Sequence, residues 1–284
     1  MVDEGFFGPQ SVSWRVHREV TVLFGGARAM LMHAAHPLVV AGAEQTGMYE
    51  RNPWKRLQRT LVLQYAITFG TKREAQAAAA RINEIHERIR GVDRVTGRPY
   101  DALDPDLLLW VHACLVQSAL LFERLTVGRL DARGRQRFHE EQMLAAEMVR
   151  LPRERIPPTV DELDGYVDDV VASDQLVVTD AARSVAELFL DPPREAEWRV
   201  VLGGVARLAF GTIPGPLRSA YGIPSSPLRR AAMASTFAAL RIGRPFLPAR
   251  FRFIAPYQAW LRRPDAVGRG RGQEDRRRAL GIRL

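Results

Sequence analysis

The sequence predicts an all-α protein, and three observations carry that reading. Helix start signals recur along the chain, each a capping side chain placed just ahead of an apolar run. Apolar residues recur at helical spacing, with no sustained alternation of apolar and polar β-branched residues of the kind that marks strands. Proline and glycine clusters fall between these stretches and not inside them: Arg150-Leu-Pro152, Ile156-Pro-Pro158, Asp191-Pro-Pro193 and Ile213-Pro-Gly-Pro216.

Taken in order, the first helical stretch is expected over 13–35 and the second over 54–69. Thr71-Lys-Arg-Glu74 then forms a capping box, in which hydroxyl and carboxylate each satisfy an orphan amide, ahead of an alanine-rich helix over 75–90. Asp104-Pro105 gives an N-cap with proline at the first helical position, opening the apolar run 107–122. A helix over 132–150 follows. Thr159-Val-Asp-Glu162 repeats the capping pattern before 163–171, and Thr179-Asp180 does so before 181–190. Further helices are expected over 195–210, 226–242 and 248–262.

At 284 residues with 46% hydrophobic and 26% charged side chains, the chain has ample material for a core. One domain over residues 1–262 is preferred, with an Arg/Gly-rich tail over 263–284. No internal repeat is visible, which disfavours a helical solenoid. The single Cys114 cannot pair within the chain and excludes thiolate-held clusters, pointing to a reducing compartment. The N-terminus carries acids where a secretory signal carries bases, so a cytoplasmic location is expected. The longest uncharged windows, 107–122 and 29–43, span 16 and 15 residues. Both fall short of the ~20 that a spanning helix needs.

The net charge is +9, and the chain from Leu261 onward holds eight arginines against three acids, leaving +4 for the rest. An arginine tail without aromatics argues against specific nucleic-acid binding and fits weak contact with a membrane surface.

Six histidines are the candidates for chemistry: His17, His33, His36, His86, His112 and His139. None is preceded by Glu at three residues, so the Glu-x-x-His pattern of di-iron bundles is absent, and no His-Glu-x-x-His zinc motif occurs. Phosphate-loop, nucleophile-elbow and dinucleotide-binding signatures are missing too. His86 has Ile82 four residues before it and Ile89 three after, which puts it on the apolar face of an amphipathic helix. It reads either as a core histidine or as a ligand. His112 is surrounded by apolar residues, where an imidazole needs a metal, a cofactor or a polar neighbour to offset its burial. His33 and His36 share a face, although Pro37 suggests a helix end at that point. His17, among Arg15, Arg18 and Glu19, and His139, beside Glu140 and Glu141, read as solvated. Arg56, Arg59 and Thr60 lie on one side of a helix, where two guanidiniums and a hydroxyl suit the carboxylates of a ligand such as haem.

An ordered series of motifs extends these readings: Gly8-Pro-Gln-Ser-Val-Ser-Trp14, Gly25-Gly26, His36-Pro37, Arg56-Leu-Gln-Arg-Thr60, Phe69-Gly70-Thr71, His86-Glu-Arg-Ile-Arg-Gly91, Gly97-Arg-Pro-Tyr100, Asp104-Pro-Asp-Leu-Leu-Leu-Trp-Val-His112 and Ser118. Over about three quarters of the chain this series resembles the MpaB/rubber-oxygenase catalytic domain. The resemblance implies a multi-helix orthogonal bundle, globin-like in a haem b-binding core, and an oxygenase or oxidase that uses dioxygen. It makes His86 the proximal iron ligand, with a carbonyl or carboxylate on its second nitrogen, and His112 the alternative ligand. It assigns haem carboxylates to Arg56, Arg59 and Arg90. It places His112 and His36, with Arg59 and Thr60, among the catalytic groups. Arg59 stands where the family's Arg-x-x-Lys-Thr motif has lysine. The expected substrate is a small hydrophobic metabolite, and an electron donor is a further expected partner. Two other readings stay open: a non-haem metalloenzyme using His36, His86 and His112, and a non-catalytic helical ligand-binding protein.

Overall fold

The computed structural model describes residues 3–46, 53–190 and 199–262, without the side chains of 53–60 and 199–202. The chain is all-α. Its helices are α1 (Val12–His17), α2 (Phe24–Ala34), α3 (Pro37–Gln45), α4 (Pro53–Phe69), α5 (Lys72–His86), α6 (Pro105–Thr126), α7 (Ala132–Met148), α8 (Val160–Ala172), α9 (Asp180–Leu190), α10 (Arg199–Gly211), α11 (Gly215–Ala220), α12 (Pro227–Gly243), α13 (Ala249–Arg252) and α14 (Ala255–Leu261). A short antiparallel hairpin, β1 (Arg90–Val92) and β2 (Pro99–Asp101), interrupts them. The tail 263–284 and the Asp191-Pro-Pro193 break lie outside the described residues.

The start signals act as the sequence implies. The Thr71 hydroxyl accepts from the Glu74 amide while the Glu74 carboxylate accepts from the Thr71 amide, completing the capping box of α5. Asp104 caps α6 and Thr159 caps α8. Two expected helices are broken instead. The stretch 13–35 divides at Arg18 and Glu19, where Glu19 is extended and its backbone bridges Phe253, and a 3-10 turn (Val20–Leu23) leads into α2. The stretch 248–262 divides into α13 and α14 at Phe253 and Ile254, which are extended, and Pro256, which has no amide to donate, falls in the first turn of α14.

The centre of the molecule is α2 packed along α6, with α9 and α10 also against α2. Gly25 makes this approach close: a Cβ there would lie 2.8 Å from the Ser118 carbonyl oxygen and 3.2 Å from the Phe122 ring. Trp110 Nε1 donates to the Met32 carbonyl across the same interface. By length and composition α6 could cross a membrane, but 61% of its most apolar window is buried, as befits the central core helix. On the other side, α4 and α5 pair with each other, α4 meets α1 and α14, and α5 meets α7. The hairpin packs on α3, and Tyr100 lies so close over Gly91 that a Cβ there would be 2.7 Å from its hydroxyl.

Candidate functional site

Helices α1, α5, α6 and α7 carry four histidines into the interior. His86 is the last residue of α5. Its position is fixed on both sides by the end of α7: Asn83 Nδ2 donates to the Met148 carbonyl at 3.0 Å, and Arg150 pairs with Glu87 at 2.7 Å. Arg150 has φ +67°, the left-handed conformation that closes α7. It lets the Leu151 amide reach back to the Ala146 carbonyl.

His112 sits about a third of the way along α6 with its ring 6.4 Å from that of His139 on α7. His139 is fully buried, and its Nε2 lies 2.7 Å from the Pro157 carbonyl, so Nε2 carries the proton and Nδ1 presents a lone pair. His17 packs against the Phe138 ring at 5.4 Å. His17 and His139 are therefore not solvated. The flanking charges turn away or find partners: Glu141 accepts from the Val12 and Ser13 amides and so caps α1. The clue to His139 was the spacing 139, 143, 146, which places it with Met143 and Ala146 on the buried face of α7.

These imidazoles share an unusual property. Among the described residues, His17 Nε2, His86 Nδ1, His112 Nε2 and His139 Nδ1 are buried without a hydrogen-bond partner, as is His36 Nδ1. Buried polar atoms are normally paired, so each of these exceptions calls for an explanation, and only His112 and His139 are seen side by side. Burial lowers every one of these pKa values: His17 and His36 to about 4, His86 and His139 downward, and His112 to about 3 with further help from the neighbouring His139. For His36 a cationic Arg98 adds to the lowering and Asp104 opposes it. All are neutral at pH 7, the form in which an imidazole nitrogen can bind a metal.

The expected residues are distributed as follows. His36 is buried at the α2–α3 corner as the N-cap residue of α3. His33 is occupied structurally, its Nε2 lying 3.0 Å from the Val111 carbonyl. Arg56, Arg59 and Thr60 lie on α4, which packs on α5, but their side chains fall outside the described residues. Arg90 departs from expectation. The helix ends at His86, so Arg90 stands on β1, exposed, donating to the Glu87 carbonyl. Among the described residues no carbonyl or carboxylate lies on His86 Nδ1. Finally, His36, His86 and His112 do not form a three-imidazole metal set: among the described residues no three His, Cys, Asp or Glu side chains gather to hold an ion.

Uncharacterised proteins of Mycobacterium bovis (strain ATCC BAA-935 / AF2122/97) and Mycobacterium tuberculosis (strain ATCC 25618 / H37Rv) are each 26% identical to the chain over 200 residues, covering 69% of it and 70% of their own length. No solved structure matches it. Residues 14–242 match the family model described as ER-bound oxygenase mpaB/B'/Rubber oxygenase, catalytic domain. The chain thus belongs to the MpaB/rubber-oxygenase catalytic-domain family.

Proposed function

We propose that the protein is a haem b-dependent oxygenase or oxidase that acts on a small hydrophobic substrate with dioxygen. The observation that carries this reading is the set of buried, neutral and unpartnered imidazoles on α1, α5, α6 and α7 within an oxygenase-family fold. When bound, haem b supplies the redox-active iron. His86 offers it a neutral imidazole nitrogen, and its place at the α5–α7 junction limits how far that ring can move. The family resemblance assigns the two haem carboxylates to Arg56 and Arg59, with Thr60 one residue on, on the adjacent helix α4. Arg59 in place of lysine favours a forked, bidentate contact over a point charge.

His112 and His139 have a different part in this reading. The Pro157 carbonyl holds His139 in the Nε2–H tautomer, leaving Nδ1 as a proton acceptor. His112, alongside it, can donate or accept according to its own tautomer. With ring centres 6.4 Å apart and no hydrogen bond between them, the two rings act separately, each a neutral imidazole that can exchange a proton with a bound reactant in apolar surroundings. Apolar core residues around α6 suit a hydrophobic substrate better than a charged one.

The test is the cofactor content of the full chain, measured by pyridine haemochrome and by total iron, together with oxygen uptake in the presence of an apolar isoprenoid. Near-stoichiometric haem and substrate-dependent uptake are expected. Iron without haemochrome, or a haem-free protein that does not take up added haem, would contradict the proposal.

A further inference from the structure

The formal charge divides unevenly along the chain. Residues 1–197 hold 24 basic and 29 acidic side chains, whereas residues 198–284 hold 17 and 3. From Trp198 to Pro264 there is no Asp or Glu at all, yet there are 11 arginines. Much of the cationic character thus belongs to the structured C-terminal helices and not to the tail alone. Arg229, Arg230 and Arg241 on α12, and Arg250 on α13, are exposed.

The same region breaks the usual rule for large apolar side chains. Ile242 is 71% exposed, Phe246 84%, Leu247 41% and Phe251 50%, four such residues within a span of ten. Their presentation has a physical cause. Arg244 and Arg252, which bracket the α12–α13 connection, turn inward and bind the buried carboxylate of Glu19 at 2.7 and 3.4 Å. The Ile254 amide donates to the Arg18 carbonyl beside them. With both ends anchored, the intervening Pro245-Phe-Leu-Pro248 segment projects outward. Pro245 and Pro248 leave it few alternative shapes. The exposed guanidinium of Arg250 lies 4.8 Å from the centre of the Phe251 ring, so charge and apolar surface are adjacent. The bracketed segment lies beyond the family match, which ends at residue 242.

We propose that this arginine-rimmed tip docks the protein on an anionic phospholipid surface. An apolar patch with a cationic border suits the bilayer interface, where Phe, Leu and Ile enter the boundary of the acyl chains and arginines meet headgroup phosphates. Charge complementarity selects this occupant. A second copy docked through the same face would oppose arginine with arginine, with no acid in the segment to relieve it. A nucleic acid would leave the aliphatic Ile242 and Leu247 without a matching surface.

The test is co-sedimentation of the full chain with vesicles of phosphatidylglycerol and phosphatidylcholine, compared with phosphatidylcholine alone. Binding to the anionic vesicles that weakens with salt is expected. The double variant Phe246→Asp/Leu247→Asp should lose at least about tenfold in partitioning with an unchanged melting temperature, since these side chains support little of the core. Arg241→Gln/Arg250→Gln should reduce binding and its salt dependence together. Arg276→Ala/Arg277→Ala/Arg278→Ala, made in the tail, should leave the requirement for Phe246 intact. Four results would overturn the proposal: no binding by the wild type, binding indifferent to Phe246→Asp/Leu247→Asp, displacement of the vesicles by a DNA duplex at equal phosphate, or a wild-type dimer that this double variant dissociates.

Discussion

A single carboxylate, Glu19, faces two buried guanidiniums, Arg244 and Arg252, and joins the start of the chain to its C-terminal helices. Removing one partner of such a set leaves charge in the interior without compensation. Glu19→Gln is expected to cost about 3–5 kcal/mol, read from the denaturant midpoint. His139 is a second decisive residue. His139→Leu keeps the volume apolar but strips the Pro157 carbonyl of its donor, and a loss of about 1–3 kcal/mol is expected. Neither residue announces its role locally. Glu19 finds its arginines more than two hundred residues away, and His139 is flanked by Glu140 and Glu141, which suggest solvent. What identifies His139 is the helical spacing to Met143 and Ala146, a signal that a glance at its immediate neighbours hides.

At the scale of elements, short-range chemistry was legible. Thr71, Asp104 and Thr159 each act on amides within the next three residues, so a window of four residues contains the whole interaction and the helix starts could be placed. Helix ends fixed by distant partners could not be placed so well: the break at Glu19 depends on Phe253 and on arginines from the other end of the chain. Arg90 was placed on the helix for a related reason, because the helix was expected to run on to residue 90, four past its end at His86. Several motifs behind the family resemblance turn out to be architectural. Gly25 admits Ser118, Gly97 takes φ +68° in the hairpin, and Asp104 caps α6. The close α2–α6 approach gives a direct test. Gly25→Val should cost about 1–3 kcal/mol from overpacking, and Gly26→Ala, with no heavy atom within 4 Å of its added Cβ, should be neutral or slightly stabilising. Thermal unfolding of the two variants would show whether the asymmetry is real.

For the whole molecule, the buried histidines couple stability to pH. Folded-state values near 4 for His17, His33 and His36, and near 3 for His112, lie below the ordinary 6.5. The unfolded chain therefore binds more protons in mild acid. The stabilisation they represent is complete above about pH 6.5 and is lost as pH falls from there toward about 4. At pH 5 each such group would cost about 2 kcal/mol, so the melting temperature is expected to fall steeply between neutral pH and pH 5 in the protein without bound cofactor. A flat profile would mean that these rings are not desolvated. A ligand that engages their free nitrogens in the folded state alone would raise the whole curve.

The central claim is that the unpartnered imidazoles hold haem through His86, and the absorption spectrum of the purified full chain, oxidised and then reduced, tests it most directly. The account predicts a Soret band that shifts on reduction, is absent from His86→Ala, and persists with altered position in His112→Ala and His139→Leu. A spectrum without that band after incubation with haem, or a band left unchanged by His86→Ala, would contradict it.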